Sequence, residues 1–202
     1  MKPASEIDAI RQQAILSSLA GFPFLLVFAV VWIVAASLSY AVPRDVAPWL
    51  YVVLGIPAMP IAIILDRRLG YVPAPKPDPL LPLVLQILFV QVVAFPAIVL
   101  VWDLAPYYLP VAFAAVVGAH FLPFQWVYRT RLYGILGVVV AVGPYVLAAR
   151  FGKDALHYTG FFVGGTLLVG AFVARSHARA TWDESQHAAQ QGDAVGGATR
   201  RN

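Results

Sequence analysis

Six long apolar runs constrain the fold of this chain more than any other feature. Each is about 20 residues long, the length that an α-helix needs to cross the hydrocarbon layer of a membrane. Backbone groups in that layer must be hydrogen-bonded internally, so such runs form helices. The runs cover residues 22–42, 46–65, 80–102, 106–128, 132–150 and 155–174. The sequence therefore predicts an all-α, polytopic membrane protein with six transmembrane helices.

The composition argues against a water-soluble globule. Only 12% of the residues are charged and 60% are hydrophobic, whereas a soluble domain has about 25% charged residues. The net charge of +4 comes from basic residues in short loops beside apolar runs, which is typical of topology signals and not of a nucleic-acid surface. The chain has no cysteine, which excludes disulfides and thiolate chemistry. We expect no metal, no cofactor and no nucleic-acid partner.

The distribution of lysine and arginine predicts the orientation in the membrane. With a cytoplasmic N-terminus, only Arg44, Arg150 and Lys153 lie on the far side. The cytoplasmic side then holds Lys2, Arg11, Arg67, Arg68, Lys76, Arg129, Arg131, Arg175, Arg179, Arg200 and Arg201. Because cytoplasmic loops are enriched in Lys and Arg, we expect both termini in the cytoplasm and the protein in the inner (plasma) membrane.

The polar ends of the chain divide it into four segments. Residues 1–21 are predicted to form a cytoplasmic amphipathic lead-in, and residues 22–174 the six-helix transmembrane domain. The last helix is expected to continue into the cytoplasm over residues 175–188. The small, polar, Gly-rich residues 189–202 are predicted to be a disordered tail.

His120 is the polar residue whose position in an apolar run most needs explanation. It precedes Tyr128, at the predicted inner boundary, by eight residues, which places it ~12 Å inside the membrane at 1.5 Å per residue. A neutral imidazole at that depth still has a donor and an acceptor to satisfy. Antiparallel pairing with the preceding run places position 120 level with position 88, between Gln86 and Gln91. We therefore predict a polar cluster of His120, Gln86 and Gln91, with Gln125 nearer the cytoplasm.

Prolines in two runs suggest that this cluster borders a pocket. Pro123 cannot donate a hydrogen bond to Ala119, and Pro57 and Pro60 interrupt the second run in the same way. Interrupted helices at membrane depth are tolerated where protein or a wet cavity satisfies the backbone. The pattern predicts a cytoplasm-facing vestibule, with Trp126 and Tyr128 at its inner rim.

The segment around His120 resembles a family of small, uncharacterised bacterial multi-pass membrane proteins that is defined as a domain of unknown function. The resemblance consists of Gly118, Ala119, His120, Pro123, Phe124, Trp126, Tyr128 and Arg129. Weaker similarity extends over most of the first four runs. The resemblance implies a multi-pass membrane fold and supplies no activity.

The leading hypothesis is a protein that binds or transports a small uncharged or amphipathic molecule. Its predicted ligand contacts are His120, Gln86, Gln91, Gln125, Trp126 and Tyr128, and its partners are membrane lipid and that molecule. A structural histidine bonded to one glutamine is the alternative reading of His120.

A membrane scaffold or subunit without a ligand is the second hypothesis. In that case the small residues Gly160 and Gly164 would close a homo-oligomer, although such pairs more often mark helix packing within one chain. A lipid-modifying enzyme with His120 as general base is the third hypothesis. No nucleophile is evident at the same depth, so a non-enzymatic role is favoured and no catalytic residue is assigned.

Overall fold

The computed structural model of the protein describes residues 4–199, with side chains described for residues 6–191. Within that range the chain forms seven α-helices and three short 3-10 turns, and it contains no strand. The helices are α1 Ala4–Ser17, α2 Phe22–Leu38, α3 Ala47–Leu69, α4 Leu81–Leu104, α5 Leu109–Val127, α6 Leu132–Phe151 and α7 Ala155–Thr199. The predicted all-α class is confirmed.

Helical runs of membrane-spanning length make up most of the described chain. Five are long and apolar enough to cross a membrane, namely Leu19–Leu38, Ala47–Leu69, Leu81–Leu104, Pro106–Val127 and Leu132–Gln191. The last run contains both α6 and α7, which are separated by the 3-10 turn Gly152–Asp154 and pack against each other. Gly152 has a positive φ of 58°, which a residue without Cβ adopts at little cost. The protein is a polytopic helical membrane protein with six long helices, α2 to α7.

Small residues bring the central helices of the bundle close together. A Cβ atom on Gly160 of α7 would lie 2.6 Å from the Cβ of Ala36 in α2, and one on Gly164 would lie 2.9 Å from the carbonyl oxygen of Ala29. The glycine pair therefore joins α7 to α2 within one chain. This is the packing within one chain that the sequence favours for the pair, and a homo-oligomer stays a prediction.

Helices α3 and α4 stand apart from each other at the side of the bundle. α3 packs on α2, while α4 packs on α5 and on the 3-10 turn Pro106–Tyr108. The backbones of α3 and α4 come close at very few points, and the two helices meet at the end away from Arg67 and Arg68, where the ring centres of Trp49 and Trp102 are 4.0 Å apart. Large apolar side chains on both helices are exposed, such as Ile56 at 71% and Val93 at 66%. In a bilayer these faces meet acyl chains. We refer to the space between the two helices as the α3–α4 gap.

Helix α1 covers one end of the bundle. We refer to this end as the basic end, and it is defined by Arg67, Arg68, Arg129 and Arg131. Ile15 and Leu16 of α1 are buried against the bundle. Arg11 donates a hydrogen bond to the carbonyl of Trp126, and its guanidinium lies 4.8 Å from the centre of the Trp126 ring. Residues 4–21, which correspond to the predicted lead-in, form α1 and the turn that follows it.

That turn has an uncommon backbone conformation. Leu19, Ala20 and Gly21 have φ values of 49°, 51° and 80°. The left-handed region costs a residue with a side chain roughly 1–2 kcal/mol, so Leu19 and Ala20 are strained. All three residues are buried, and the Tyr133 hydroxyl of α6 donates to the carbonyl of Ala20 at 2.5 Å. The turn reverses the chain so that α1 lies across the basic end.

Two helix ends differ from the sequence prediction. α2 ends at Leu38 instead of 42, because the Ser39 hydroxyl donates to the Ala36 carbonyl at 2.6 Å and competes with continuation of the helix. α7 continues through the predicted extension and through residues 189–199 of the predicted disordered tail. Residues 175–191 contain no proline or glycine, which favours this continuation. Residues 200–202 of the tail lie outside the described residues.

Candidate functional site

A cavity of about 310 Å³ lies near the basic end, with its wall formed by residues of α2, α3, α4, α5 and α6. This volume is at the lower end of the range for small-molecule pockets, roughly 300–1,000 Å³. Leu25 of α2 and Met59 and Ile63 of α3 form part of the apolar wall. Apolar walls with a few convergent polar groups are typical of ligand sites.

Helix α4 presents one apolar stripe to the cavity. Leu81, Val84, Leu85 and Leu88 all line it. Their spacing of three, four and seven residues places them on one face of a helix. Met59 and Ile63 of α3 line the same cavity, so this stripe and the α3 residues lie on opposite sides of the α3–α4 gap.

Aromatic rings form the wall opposite the gap. The ring centres of Tyr128 and Tyr133 are 5.2 Å apart, those of Phe124 and Tyr133 are 5.8 Å apart, and those of His120 and Phe121 are 4.6 Å apart. Separations of about 4.5–7 Å are favourable for aromatic pairs. The five rings support one another, so this wall is the rigid side of the cavity.

His120 lines the cavity, and a backbone hydrogen bond determines its tautomer. Nδ1 lies 2.7 Å from the carbonyl oxygen of Val117. A carbonyl can only accept, so Nδ1 carries the proton of the neutral imidazole and Nε2 is left as an acceptor. Nε2 has no hydrogen-bond partner among the described residues. The histidine therefore offers one acceptor to an apolar cavity.

The predicted cluster of His120 with three glutamines does not form. Gln86 is exposed on α4, and Gln91 lies in a separate groove beside Leu88 and Val117. Gln125 is exposed and lies over α6, with its Oε1 2.0 Å from the position that a Cβ on Gly134 would take. The prediction compared only the heights of residues along two antiparallel helices. The direction in which a side chain points turns by about 100° from one residue to the next, so residues at the same height can face different sides.

The two residues predicted at the inner rim have different surroundings. Tyr128 is buried, lines the cavity, and is hydrogen-bonded to Ser18 with 3.2 Å between the two oxygens. Trp126 is exposed at 49% and lies outside the cavity, where it contacts Arg11 of α1. Only Tyr128 and His120, of the six predicted contacts, are brought together at the cavity.

Tyr133 and Asp66 were missed as parts of this region. Tyr133 lines the cavity from the first turn of α6. The Oδ1 atom of Asp66 is buried and has no hydrogen-bond partner within the described chain. Asp66 directly precedes Arg67, which belongs to the basic end, and follows Ile63 of the cavity wall by three residues. Asp66 therefore lies beside the basic end of the cavity.

Pro57, Pro60 and Pro123 interrupt hydrogen bonding without ending their helices. α3 and α5 are continuous through these positions. The expected broken helices are therefore absent from α3 and α5, although the missing backbone donors remain. Pro57 and Pro60 flank Met59, so the weakest part of α3 is level with the cavity.

A serine–histidine pair lies at the opposite end of the bundle. Ser39 Oγ is 2.6 Å from His157 Nδ1, and both residues are buried. The Tyr40 ring stacks on the His157 ring with their centres 4.3 Å apart. Neither residue lines the His120 cavity. This pair joins the end of α2 to the start of α7.

The fold and the cavity define a polytopic helical membrane protein whose bundle holds an apolar cavity with one histidine. The chain belongs to the family of unknown function DUF7010, which matches residues 7–176. The match runs from α1 into α7 and confirms the resemblance to a family that is defined as a domain of unknown function. The chain has no match among curated proteins and none among solved structures.

Proposed function

We propose that the protein binds a small amphipathic molecule in the His120 cavity. The basic end then faces the cytoplasm, and the protein resides in the inner membrane, because cytoplasmic loops are enriched in Lys and Arg. The cavity would lie in the cytoplasmic half of the bilayer.

The observation that carries this proposal is an unpaired acceptor in an otherwise apolar cavity. His120 Nε2 has no partner in the described chain, while Nδ1 is held by Val117. Polar groups at membrane depth normally face protein or a cavity and are paired. A bound molecule with a hydroxyl, amide or other N–H or O–H donor would supply the missing bond.

The cavity wall supports a mainly apolar occupant. The polar side chains that line it are His120, Tyr128 and Tyr133, and both phenols already bond to other groups of the protein. No acidic or basic side chain other than the histidine is part of the lining. The occupant is therefore apolar over most of its surface and has one donor group.

The test compares two isomeric probes, of which only one has that donor. Dodecanol has a hydroxyl proton, and methyl undecyl ether, which has the same number of carbon atoms, has none. Net hydrogen bonds are worth about 0.5–1.5 kcal/mol, so dodecanol should bind the protein in lipid nanodiscs roughly 2- to 12-fold more tightly than the ether. The affinities are measured by the shift of the thermal unfolding transition with probe concentration.

His120→Phe and Gln91→Leu are the paired variants. His120→Phe keeps a ring of similar size and removes the acceptor, so it should abolish the preference for dodecanol over the ether. Gln91→Leu removes an amide outside the cavity and should leave the preference unchanged. If the preference survives in His120→Phe, or if neither probe binds the parent protein, the proposal is wrong.

A further inference from the structure

The route into the cavity determines which molecules can occupy it, and the basic end is covered. Tyr71 N–H in the loop between α3 and α4 donates to the Leu16 carbonyl of α1 at 2.9 Å. The Tyr71 ring also stacks on Trp182 of α7, with their centres 5.4 Å apart. This loop passes so close to α1 that a Cβ on Gly70 would lie 2.2 Å from the Ser17 carbonyl oxygen. A water-soluble molecule would have to displace α1, the loop and part of α7.

The side of the cavity at the α3–α4 gap has no such cover among the described residues. Ile63 of α3 and Leu85 of α4 both line the cavity and are 37% and 55% exposed. They lie on opposite sides of the gap, the backbones of their helices come close at very few points, and the Trp49–Trp102 contact that joins the helices lies at the other end of the gap. Because the exposed faces of both helices are apolar, the medium outside the gap is the hydrocarbon layer.

Helix α3 also contains the features of a bending segment at this level. Pro57 and Pro60 leave the carbonyls of Val53 and Ile56 without their helical donors. A Cβ on Gly55 would meet no atom within 4 Å, so this face of the helix has no neighbour there. Met59, within this segment, lines the cavity. A bend in this segment would widen the α3–α4 gap.

We propose that the cavity is filled directly from the bilayer through the α3–α4 gap, and that its occupant is a membrane-dissolved amphiphile whose donor group reaches His120. The inference rests on the proposed binding function and adds the chemical class and the route. A lipid-like molecule with a hydroxyl or amide head and an apolar chain fits both. Water-soluble molecules are excluded, because α1 and the loop cover the aqueous side.

The experiment locks the gap and follows filling of the cavity. The chain has no native cysteine, so Ile63→Cys with Leu85→Cys introduces the only two thiols, which a short bis-maleimide then joins. Phe124→Trp, on the aromatic wall, reports occupancy when ω-bromododecanol quenches its fluorescence. The same measurement on protein without the introduced tryptophan is the control for quenching of the native tryptophans. Leu88→Trp is a second reporter if Phe124→Trp folds poorly.

Cross-linking should slow quenching by added ω-bromododecanol at least tenfold, while protein that is filled before cross-linking should stay quenched. The control pair, Leu122→Cys with Val138→Cys, bridges the packed α5–α6 seam, where both parent side chains are exposed. This pair should leave the rate unchanged.

Three results would overturn one or both proposals. Equal rates before and after locking the gap would refute the route and leave binding intact. Equal slowing by the control pair would also refute the route, because general stiffening would then explain the effect. Absence of quenching in the protein without a cross-link, with both reporters, would refute binding itself.

Discussion

The hydroxyl of Tyr133 is a sensitive test of how α1 is held against the bundle. Tyr133→Phe keeps the ring, which packs 5.2 Å from the Tyr128 ring, and removes only the oxygen that bonds the Ala20 carbonyl. Tyr133 is 2% exposed and Ala20 is fully buried, so water cannot readily replace the lost donor. The turn at Ala20 is already strained, and the bond from Tyr133 helps to hold it.

The size of the effect follows from the burial of that bond. A net hydrogen bond is worth about 0.5–1.5 kcal/mol, and an unsatisfied buried partner costs about 1–3 kcal/mol. We expect the free energy that holds α1 and the turn in place to fall by about 1–3 kcal/mol. Amide exchange in this segment should then become roughly 5- to 150-fold faster, because exchange rates follow the free energy of local opening.

Hydrogen–deuterium exchange with peptide resolution measures this prediction in nanodiscs. The increase should be confined to α1 and the Leu19–Gly21 turn, with α2 and α7 unchanged. Tyr145→Phe is the matched control on the same helix, because that side chain is 68% exposed and should not alter exchange in α1. Unchanged exchange in α1 for Tyr133→Phe, or an equal increase for both variants, would refute the reasoning.

Two further predictions concern backbone conformation and helix packing, and each is measured as the free energy of unfolding in the same membrane mimic. Ala20→Gly should stabilise the protein by about 1 kcal/mol, because it removes the strain of a left-handed residue with a side chain. Gly21→Ala should destabilise the protein, since the new Cβ would collide with the Tyr133 hydroxyl. A loss of stability in Ala20→Gly together with a gain in Gly21→Ala would contradict this account of the turn. Gly118→Ala should cost about 1–3 kcal/mol, because its Cβ would lie 2.6 Å from a carbonyl oxygen of α6. A Cβ on Gly165 would meet no atom within 4 Å, so Gly165→Ala should be neutral or should stabilise the protein by up to about 1 kcal/mol. Equal losses of stability in Gly118→Ala and Gly165→Ala would rule out the packing argument.

The helix boundaries could be predicted well because one strong physical constraint determines them. Crossing hydrocarbon requires a minimum apolar length, and the breaks between runs consist of charged residues, glycine and proline. α6, predicted at 132–150, is observed at Leu132–Phe151. The end of α2 at Leu38 depends on the Ser39 side chain, which no hydropathy pattern encodes.

The candidate site could be predicted only in part, because sequence gives the height of a residue in the membrane more readily than its direction. Gln86 has nearly the height of Leu85 and Leu88, yet those leucines line the cavity and Gln86 is exposed. Gln91 is on the same stripe as Leu88 but lies three residues, or ~4.5 Å, farther along α4. His120 was placed in an interior position, but its partner is the Val117 carbonyl, a local bond that competes with any glutamine.

The bundle combines four tightly packed helices, α2, α5, α6 and α7, with two more loosely attached helices, α3 and α4. α2, α7, α5 and α6 meet through glycines such as Gly118 and Gly164, where an added Cβ would lie less than 3 Å from its nearest neighbour. The backbones of α3 and α4 come close at very few points, apart from the Trp49–Trp102 contact at one end, and segments with few tertiary contacts open at low free-energy cost. The cavity lies between these two parts, with its aromatic wall on α5 and α6 and its aliphatic wall on α3 and α4. In the proposed route, separation of α3 from α4 would admit a molecule without disturbing the rings that pack beside His120.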